Sequence, residues 1–110
     1  MTSELEITFA NLWVAYYPEI DLYSEHRFAK PRRFRFDFAH LESKVAIELQ
    51  GGIFNLNTRH INGAALVKEH EKLNLAASLG WRLFYVSTKT VNDISLYQQI
   101  AEAITNSKIV

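Results

Sequence analysis

Two acidic residues, Asp37 and Glu48, interrupt neighbouring apolar segments of the chain, and carboxylates in such positions could bind a metal ion. The segments, residues 32–40 and 45–50, alternate apolar with other side chains, which is typical of half-buried strands. A connection of very few residues joins them and predicts an antiparallel hairpin. The register that follows places Asp37 directly opposite Glu48.

This register predicts two different faces for the hairpin. The apolar face pairs Phe38 with Ile47 and Phe36 with Leu49, and Phe34 continues it. The other face carries Arg33, Arg35 and Asp37 on the first strand and Ala46, Glu48 and Gln50 on the second. Arg35 is then opposite Gln50, next to the two acids.

Opposed carboxylates on neighbouring strands lie about 5 Å apart at their Cβ atoms and repel each other. A divalent cation with oxygen ligands is the simplest counter-ion, and Gln50 adds a neutral carbonyl oxygen two residues from Glu48. In the alternative interpretation both acids are solvated, with Asp37 paired to a neighbouring arginine and Glu48 to Lys44. The residues alone leave both interpretations open.

The charge of the chain is unevenly distributed, although its formal net charge is zero. Five of the twelve lysines and arginines fall within residues 27–35, namely Arg27, Lys30, Arg32, Arg33 and Arg35. Cations mixed with aromatic residues favour contact with a nucleic-acid backbone. In the alternative interpretation the phenylalanines are core residues and the arginines only keep the outer face soluble.

Seven elements must position these residues. The sequence predicts helices over residues 3–17, 63–79 and 91–106, and strands over residues 23–29, 32–40, 45–50 and 81–87. Helical spacing predicts two buried stripes, one of Leu5, Phe9, Leu12, Trp13 and Tyr16 and one of Ile94, Tyr97, Ile100, Ala101 and Ile104. Gly80 ends the second helix in a C′ position, and Gly and Asn mark a loop over residues 51–63. The order α-β-β-β-α-β-α predicts an α/β fold with a mixed central sheet flanked by helices.

The length of 110 residues predicts a single domain over residues 1–110. The chain has no cysteine, which excludes disulfides and thiolate chemistry, and without paired histidine ligands we do not expect a zinc site. No basic N-terminal segment leads into a long apolar run, and no apolar run approaches about 18 residues. We therefore expect no signal peptide, no membrane contact and a cytoplasmic location, bacterial or in a phage-infected cell.

The segments "FRFDFAHLESKVAIELQGG", "RHING" and "EHEKLNLAASLGWRLFYVS" together resemble the PD-(D/E)XK nuclease superfamily. The likeness is greatest to small phage and bacterial endonucleases of the Holliday-junction-resolvase-like kind, and it covers roughly residues 24–88. It implies a restriction-endonuclease-like core for this chain.

The resemblance also implies roles for individual residues. Asp37 and Glu48 take the places of the two metal-binding acids, and Gln50 fills the strand position that usually holds lysine. Lys72 resembles the lysine that some members carry on the following helix, and Glu6 resembles an additional acid from the first helix. The proline that precedes the first acid in the family is replaced here by Phe36.

Two loop residues complete the expected site. His60 stands beside Arg59, just before the second predicted helix, and helix N-termini bind anions well. His60 could contact the scissile phosphate or take part in proton transfer, or it could be a loop histidine without a role. Arg59 joins Lys30, Arg32, Arg33 and Arg35 as an expected nucleic-acid contact.

The resemblance therefore implies an endonuclease that depends on Mg²⁺, with Mn²⁺ as a substitute, and hydrolyses phosphodiester bonds in DNA, branched or nicked DNA included. It further implies a homodimer and no small-molecule cofactor. The alternative is a catalytically inactive module that keeps the nuclease fold and serves nucleic-acid binding or assembly. Gln50 in place of the strand lysine favours this alternative.

Overall fold

The computed structural model describes residues 3–51 and 63–106, and these form three helices and four strands. In chain order they are α1 (Glu4–Tyr16), β1 (Tyr23–Arg27), β2 (Arg35–His40), β3 (Val45–Gln50), α2 (Gly63–Ser78), β4 (Arg82–Ser87) and α3 (Ile94–Asn106). The predicted fold class is confirmed by this order. Apart from Gly51 and Gly63, the predicted loop over residues 51–63 lies outside the described residues.

The four strands form one mixed sheet in the order β1-β2-β3-β4. The pairs β1–β2 and β2–β3 are antiparallel, whereas β3 and β4 are parallel. A parallel pair needs a long crossover, and α2 lies within that connection. The hairpin pairs Phe38 with Ile47, Ala39 with Ala46 and His40 with Val45, so the predicted register is confirmed next to the turn.

Helices cover both faces of the sheet. On one face α1 and α3 contribute Phe9, Trp13, Tyr97 and Ile100, which pack with Val45, Ile47 and Val86 of the strands. On the opposite face Ala76 of α2 packs with Phe36, Ala39 and Ala46, and Phe28, Trp81 and Leu83 extend this smaller cluster. Side chains of β3 therefore alternate between a large core and the smaller α2 face.

The ends of two helices have clear chemical causes. The hydroxyl of Ser3 accepts a hydrogen bond from the Glu6 amide at 3.1 Å and caps the N-terminus of α1. After α2, Gly80 adopts a positive φ of 86°, a conformation that costs glycine little. The amides of Gly80 and Trp81 bond back to the carbonyls of Ala77 and Ala76, which closes the helix and turns the chain into β4.

The prediction for β2 was wrong in two respects. The strand begins at Arg35 rather than residue 32, and Phe36 and Phe38 lie on opposite faces instead of the same one. Phe36 stacks on Phe28 at 4.1 Å between ring centroids in the α2 cluster, whereas Phe38 contacts Phe9 of α1 at 5.2 Å.

The physical reason is a break in the strand alternation between these two phenylalanines. The β1–β2 ladder pairs Ser24 with Phe38 and His26 with Phe36. Glu25, which lies between Ser24 and His26 in β1, has a positive φ of 52°. This left-handed residue kinks β1, and opposite it the alternation of β2 breaks at Asp37, which has no partner in the β1–β2 ladder, so Phe36 and Phe38 face opposite sides.

Two residues of the predicted helical stripes are also exposed. Ile94 is 51% exposed at the first turn of α3, and Tyr16 is exposed at the last turn of α1. Spacing alone therefore assigns too many residues at helix ends to the core. Within the residues that the structure describes, no helix combines the length and the apolar character that crossing a membrane requires.

Candidate active site

The candidate site lies on the α2 face, at the end of β3. Ala46 of β3 packs under α2, and because strand side chains alternate, Glu48 and Gln50 point to the same face. Lys72 of α2 reaches down to Glu48 and forms an ion pair with its Oε1 atom. The side chains of Glu48 and Lys72 are only 13% and 15% exposed, so the ion pair is largely removed from water.

Asp37 adjoins this pair from the neighbouring strand. Its Oδ2 atom accepts a hydrogen bond of 2.7 Å from the backbone amide of Leu49. The ladder between β2 and β3 ends at Phe38 and Ile47, so the predicted pairing of Phe36 with Leu49 does not form. In a continued ladder, a backbone carbonyl of β2 would accept the hydrogen bond of the Leu49 amide. Here the carboxylate of Asp37 accepts it instead.

Asp37 and Glu48 still interact, although they are not partners in the ladder. Burial raises the pKa of Glu48 to about 7; Lys72 opposes this rise, and the nearby Asp37 carboxylate adds to it. Desolvation therefore outweighs the ammonium group of Lys72. Two carboxylates and one ammonium group share this small, partly dry space.

Lys72 is held in place from two sides. Besides Glu48, it lies over the ring of the buried Phe36, with 5.9 Å between Nζ and the ring centroid. Glu69 lies three residues earlier on the same helix, at a spacing that allows an ordinary surface pair with Lys72. Among the described residues, the carboxylate that forms an ion pair with Lys72 is Glu48 instead, so this lysine belongs to the strand site.

Glu6 is not brought to this cluster. It lies on α1, which packs on the opposite face of the sheet, and its Oε1 accepts a hydrogen bond from Ser3 at 3.3 Å. Within residues 3–51 and 63–106 no three acidic or histidine residues come together as a metal-binding group. The described site thus offers two carboxylates. His60 and Arg59 lie outside the described residues.

The basic residues lie on the segment that leads into β2, and two of them are paired. Arg32 forms a 3.2 Å ion pair with Glu71 of α2, and Arg35 forms a 3.2 Å ion pair with Glu25 of β1. All four side chains are more than half exposed, so these pairs are weak in water. The predicted pairing of Arg35 with Gln50 does not form, because the β2–β3 ladder ends at Phe38 and Ile47; on its other edge Arg35 pairs with Arg27 of β1.

Lys30 and Arg33 are exposed on the same segment. The guanidinium of Arg32 also lies over the ring of Phe34, 4.5 Å from its centroid. The segment therefore presents cations to solvent beside the strand that carries Asp37.

Sequence reasoning missed one residue of this face, Tyr85 of β4. In the parallel ladder Tyr85 is the partner of Glu48. The alternation of "WRLFYVS" places Tyr85 on the same face of β4 as Leu83. Only the register between β3 and β4, however, identifies Tyr85 as the neighbour of Glu48. This register depends on the length of the α2 crossover, which the sequence pattern does not define.

The donors at this site suit a hard divalent cation. Asp37 and Glu48 supply carboxylate oxygens, and Gln50, on the same face as Glu48, supplies an amide oxygen. Mg²⁺ binds through one or two carboxylates and retains several waters, so two acids are a sufficient protein contribution. Glu48 already engages one cation through its Oε1 atom, the ammonium group of Lys72, as expected of a buried carboxylate that needs positive charge nearby.

Comparison with known proteins gives one relevant likeness. No protein-family model matches the sequence, and no curated protein matches it. Among solved structures, the catalytic domain of the homing endonuclease I-Bth0305I is similar to this chain, with a TM-score of 0.67 and 21% sequence identity. The match covers 96% of this chain and 98% of that domain. At this identity the likeness shows the fold, and the three helices and four-stranded mixed sheet form a nuclease-like core.

Proposed function

We propose that this protein is a Mg²⁺-dependent endonuclease that hydrolyses phosphodiester bonds in DNA. The observation that carries the proposal is the group of Asp37, Glu48 and Lys72, two carboxylates and a lysine gathered at the end of β3. The fold shared with a homing endonuclease catalytic domain supports the same conclusion. The membership in the PD-(D/E)XK superfamily that the sequence implies is part of this proposal.

In this proposal Asp37 and Glu48 hold the metal ion, and Gln50 or the Leu49 carbonyl adds a further oxygen. A bound Mg²⁺ supplies a water of lowered pKa and neutralises charge that develops at phosphorus. The Asp37 side chain is preoriented for this task, because its Oδ2 atom is fixed by the Leu49 amide. Mn²⁺ has similar oxygen preferences and should substitute.

Lys72 has two functions in the proposed site. Its ammonium group stabilises the ionised form of Glu48, which burial alone would keep protonated at neutral pH. It also places a positive charge beside the two acids, where it can orient a water or stabilise phosphate oxygens. The contact with Phe36 limits the positions that the Lys72 side chain can take.

DNA contacts come from the exposed cations before β2 and at its first residue, namely Lys30, Arg32, Arg33 and Arg35, together with Arg59. Arg32 and Arg35 would exchange weak, solvent-exposed carboxylate partners for phosphates. His60 as a phosphate contact, Glu6 as an outer acid, the homodimer and the cytoplasmic location stay predictions of the sequence.

A second candidate is a nuclease-fold module that binds nucleic acid without cutting it. Gln50 in the place of the strand lysine favours it, and so does the ion pair that engages Lys72 with Glu48. This candidate predicts salt-sensitive binding without turnover in Mg²⁺ or Mn²⁺.

A cleavage panel separates the two candidates. Single-stranded, duplex, nicked and four-way DNA are incubated with the protein in Mg²⁺, in Mn²⁺ and in EDTA. Asp37→Asn and Glu48→Gln remove the charges but keep side-chain shape, and the Asn oxygen can still accept from the Leu49 amide. Glu19→Gln, an exposed acid between α1 and β1, is the matched control.

We expect metal-dependent cleavage by the wild type and by Glu19→Gln, and a loss of at least about a hundredfold in both site variants, since each loses a charged metal ligand. Full cleavage by Asp37→Asn and Glu48→Gln contradicts the proposed site. Binding without cleavage by the wild type supports the second candidate.

A further inference from the structure

Tyr85 occupies a defined place beside the proposed metal ligands. It is the partner of Glu48 in the parallel β3–β4 ladder, and partners in a ladder point to the same face. The next residue, Val86, is buried in the core under α1 and α3, whereas Leu83 packs on the α2 side. Tyr85 therefore flanks Glu48 on the α2 face, on the side away from Asp37.

The phenol of Tyr85 is accessible to solvent. The residue is 40% exposed, and its hydroxyl forms no hydrogen bond with any residue of the described ranges. Burial raises the pKa of the phenol, and the charges of Glu69 and Glu48 raise it further. A tyrosine phenol is protonated in neutral solution in any case, so the hydroxyl is available as a donor.

A purely structural role accounts poorly for this hydroxyl. The ring of Tyr85 does not belong to either apolar cluster of the described residues, and the packing of the α2 face is made by Leu83, Trp81 and Phe36. A hydroxyl donor beside the Glu48 carboxylate is suited to an anion that approaches this acid together with a counter-ion.

We propose that the Tyr85 hydroxyl donates a hydrogen bond to a phosphate oxygen of bound DNA, next to the metal ion that Asp37 and Glu48 would hold. This inference rests on the proposed nuclease function and deepens it. The inference places the bound DNA strand across β3 and β4, between the cations that precede β2 and the exposed ring of Tyr85.

The test compares Tyr85→Phe with wild type in steady-state cleavage of the best DNA substrate in Mg²⁺. Tyr23→Phe is the matched control, because Tyr23 is also exposed but lies on β1 near Glu19 and Asp21, away from the proposed site. Thermal unfolding of all three proteins is followed in parallel. Tyr85→Phe keeps the ring and removes only the hydroxyl, so it isolates the hydrogen bond.

We expect kcat/KM to fall about ten- to a hundredfold in Tyr85→Phe, the usual effect of losing a hydrogen bond to a charged group. Most of the loss should appear in KM, because the phosphate is charged in the bound substrate as well as in the transition state. The unfolding temperature should not change, since the hydroxyl has no partner among the described residues.

Each other result overturns the inference. Unchanged kcat/KM in Tyr85→Phe, or an equal loss in Tyr23→Phe, removes the role of Tyr85 and leaves the proposed function standing. Absence of metal-dependent cleavage by the wild type itself removes the proposed function and this inference together.

Discussion

At the scale of single residues, Glu48 is the most perturbed group of the candidate site. A carboxylate that must bind a cation needs to be ionised, yet burial raises the pKa of Glu48 to about 7. Lys72 and a metal ion are the two cations that can offset this cost. Without a bound metal ion, burial disfavours the ionised form of Glu48. A cation at this position would relieve that cost, which favours its binding.

The first prediction concerns the pH dependence of stability without metal. The folded chain binds the Glu48 proton more tightly than the unfolded chain, so the free energy of unfolding falls as pH rises from about 4.5 to about 7. The shift corresponds to about 3 kcal/mol at most. Urea unfolding in EDTA at pH 5 and pH 7.5 should show this loss in wild type and not in Glu48→Gln. Equal pH dependence in both proteins contradicts it.

The second prediction concerns Lys72. In Lys72→Met the ammonium group that lowers the pKa of Glu48 is gone, so we expect this pKa to rise further, by about one unit or more. Carbon-13 NMR titration of the Glu48 carboxyl group measures it directly. Lys68→Met, which changes an exposed lysine one turn earlier on α2, is the control and should leave the titration unchanged.

At the scale of elements, α2 and β4 position the site, and the turn between them depends on Gly80. The sequence predicted this turn well, because a glycine after a helical pattern has a specific backbone reason. It predicted the hairpin register near Phe38 and Ile47 for a similar reason, since short loops define register. It failed at Phe36, because alternation along the sequence does not reveal the left-handed residue Glu25 or the break in β2 opposite it.

The third prediction follows from the conformation of Gly80. Its φ of 86° is unfavourable for any residue with a Cβ, so Gly80→Ala should lower the free energy of unfolding by about 1–2 kcal/mol. An added Cβ would meet the Lys44 side chain at 3.8 Å, an ordinary contact, so the cost is conformational. Urea unfolding measures the loss. Gly63→Ala, with open space around its Cβ, is the control and should not destabilise the protein.

At the scale of the whole molecule, the distribution of charge matters more than its total. A protein of zero net charge has no general attraction for DNA, so binding must come from a local group of cations. The segment before β2 presents such a group next to Asp37. The sequence alone identified these cations, but it did not reveal that Glu71 and Glu25 pair with two of them.

The last prediction tests this local group with two arginines of equal charge. Arg33 lies in the exposed segment before β2, whereas Arg82 lies at the start of β4, where it donates a hydrogen bond to the Ala103 carbonyl. If Arg33 contacts a phosphate, Arg33→Ala should reduce the slope of log affinity against log salt concentration by about one. Fluorescence anisotropy with labelled DNA between low and physiological salt measures the slope. Arg82→Ala changes the net charge by the same amount, so an equal reduction in both variants would mean that total charge, rather than this segment, governs DNA binding.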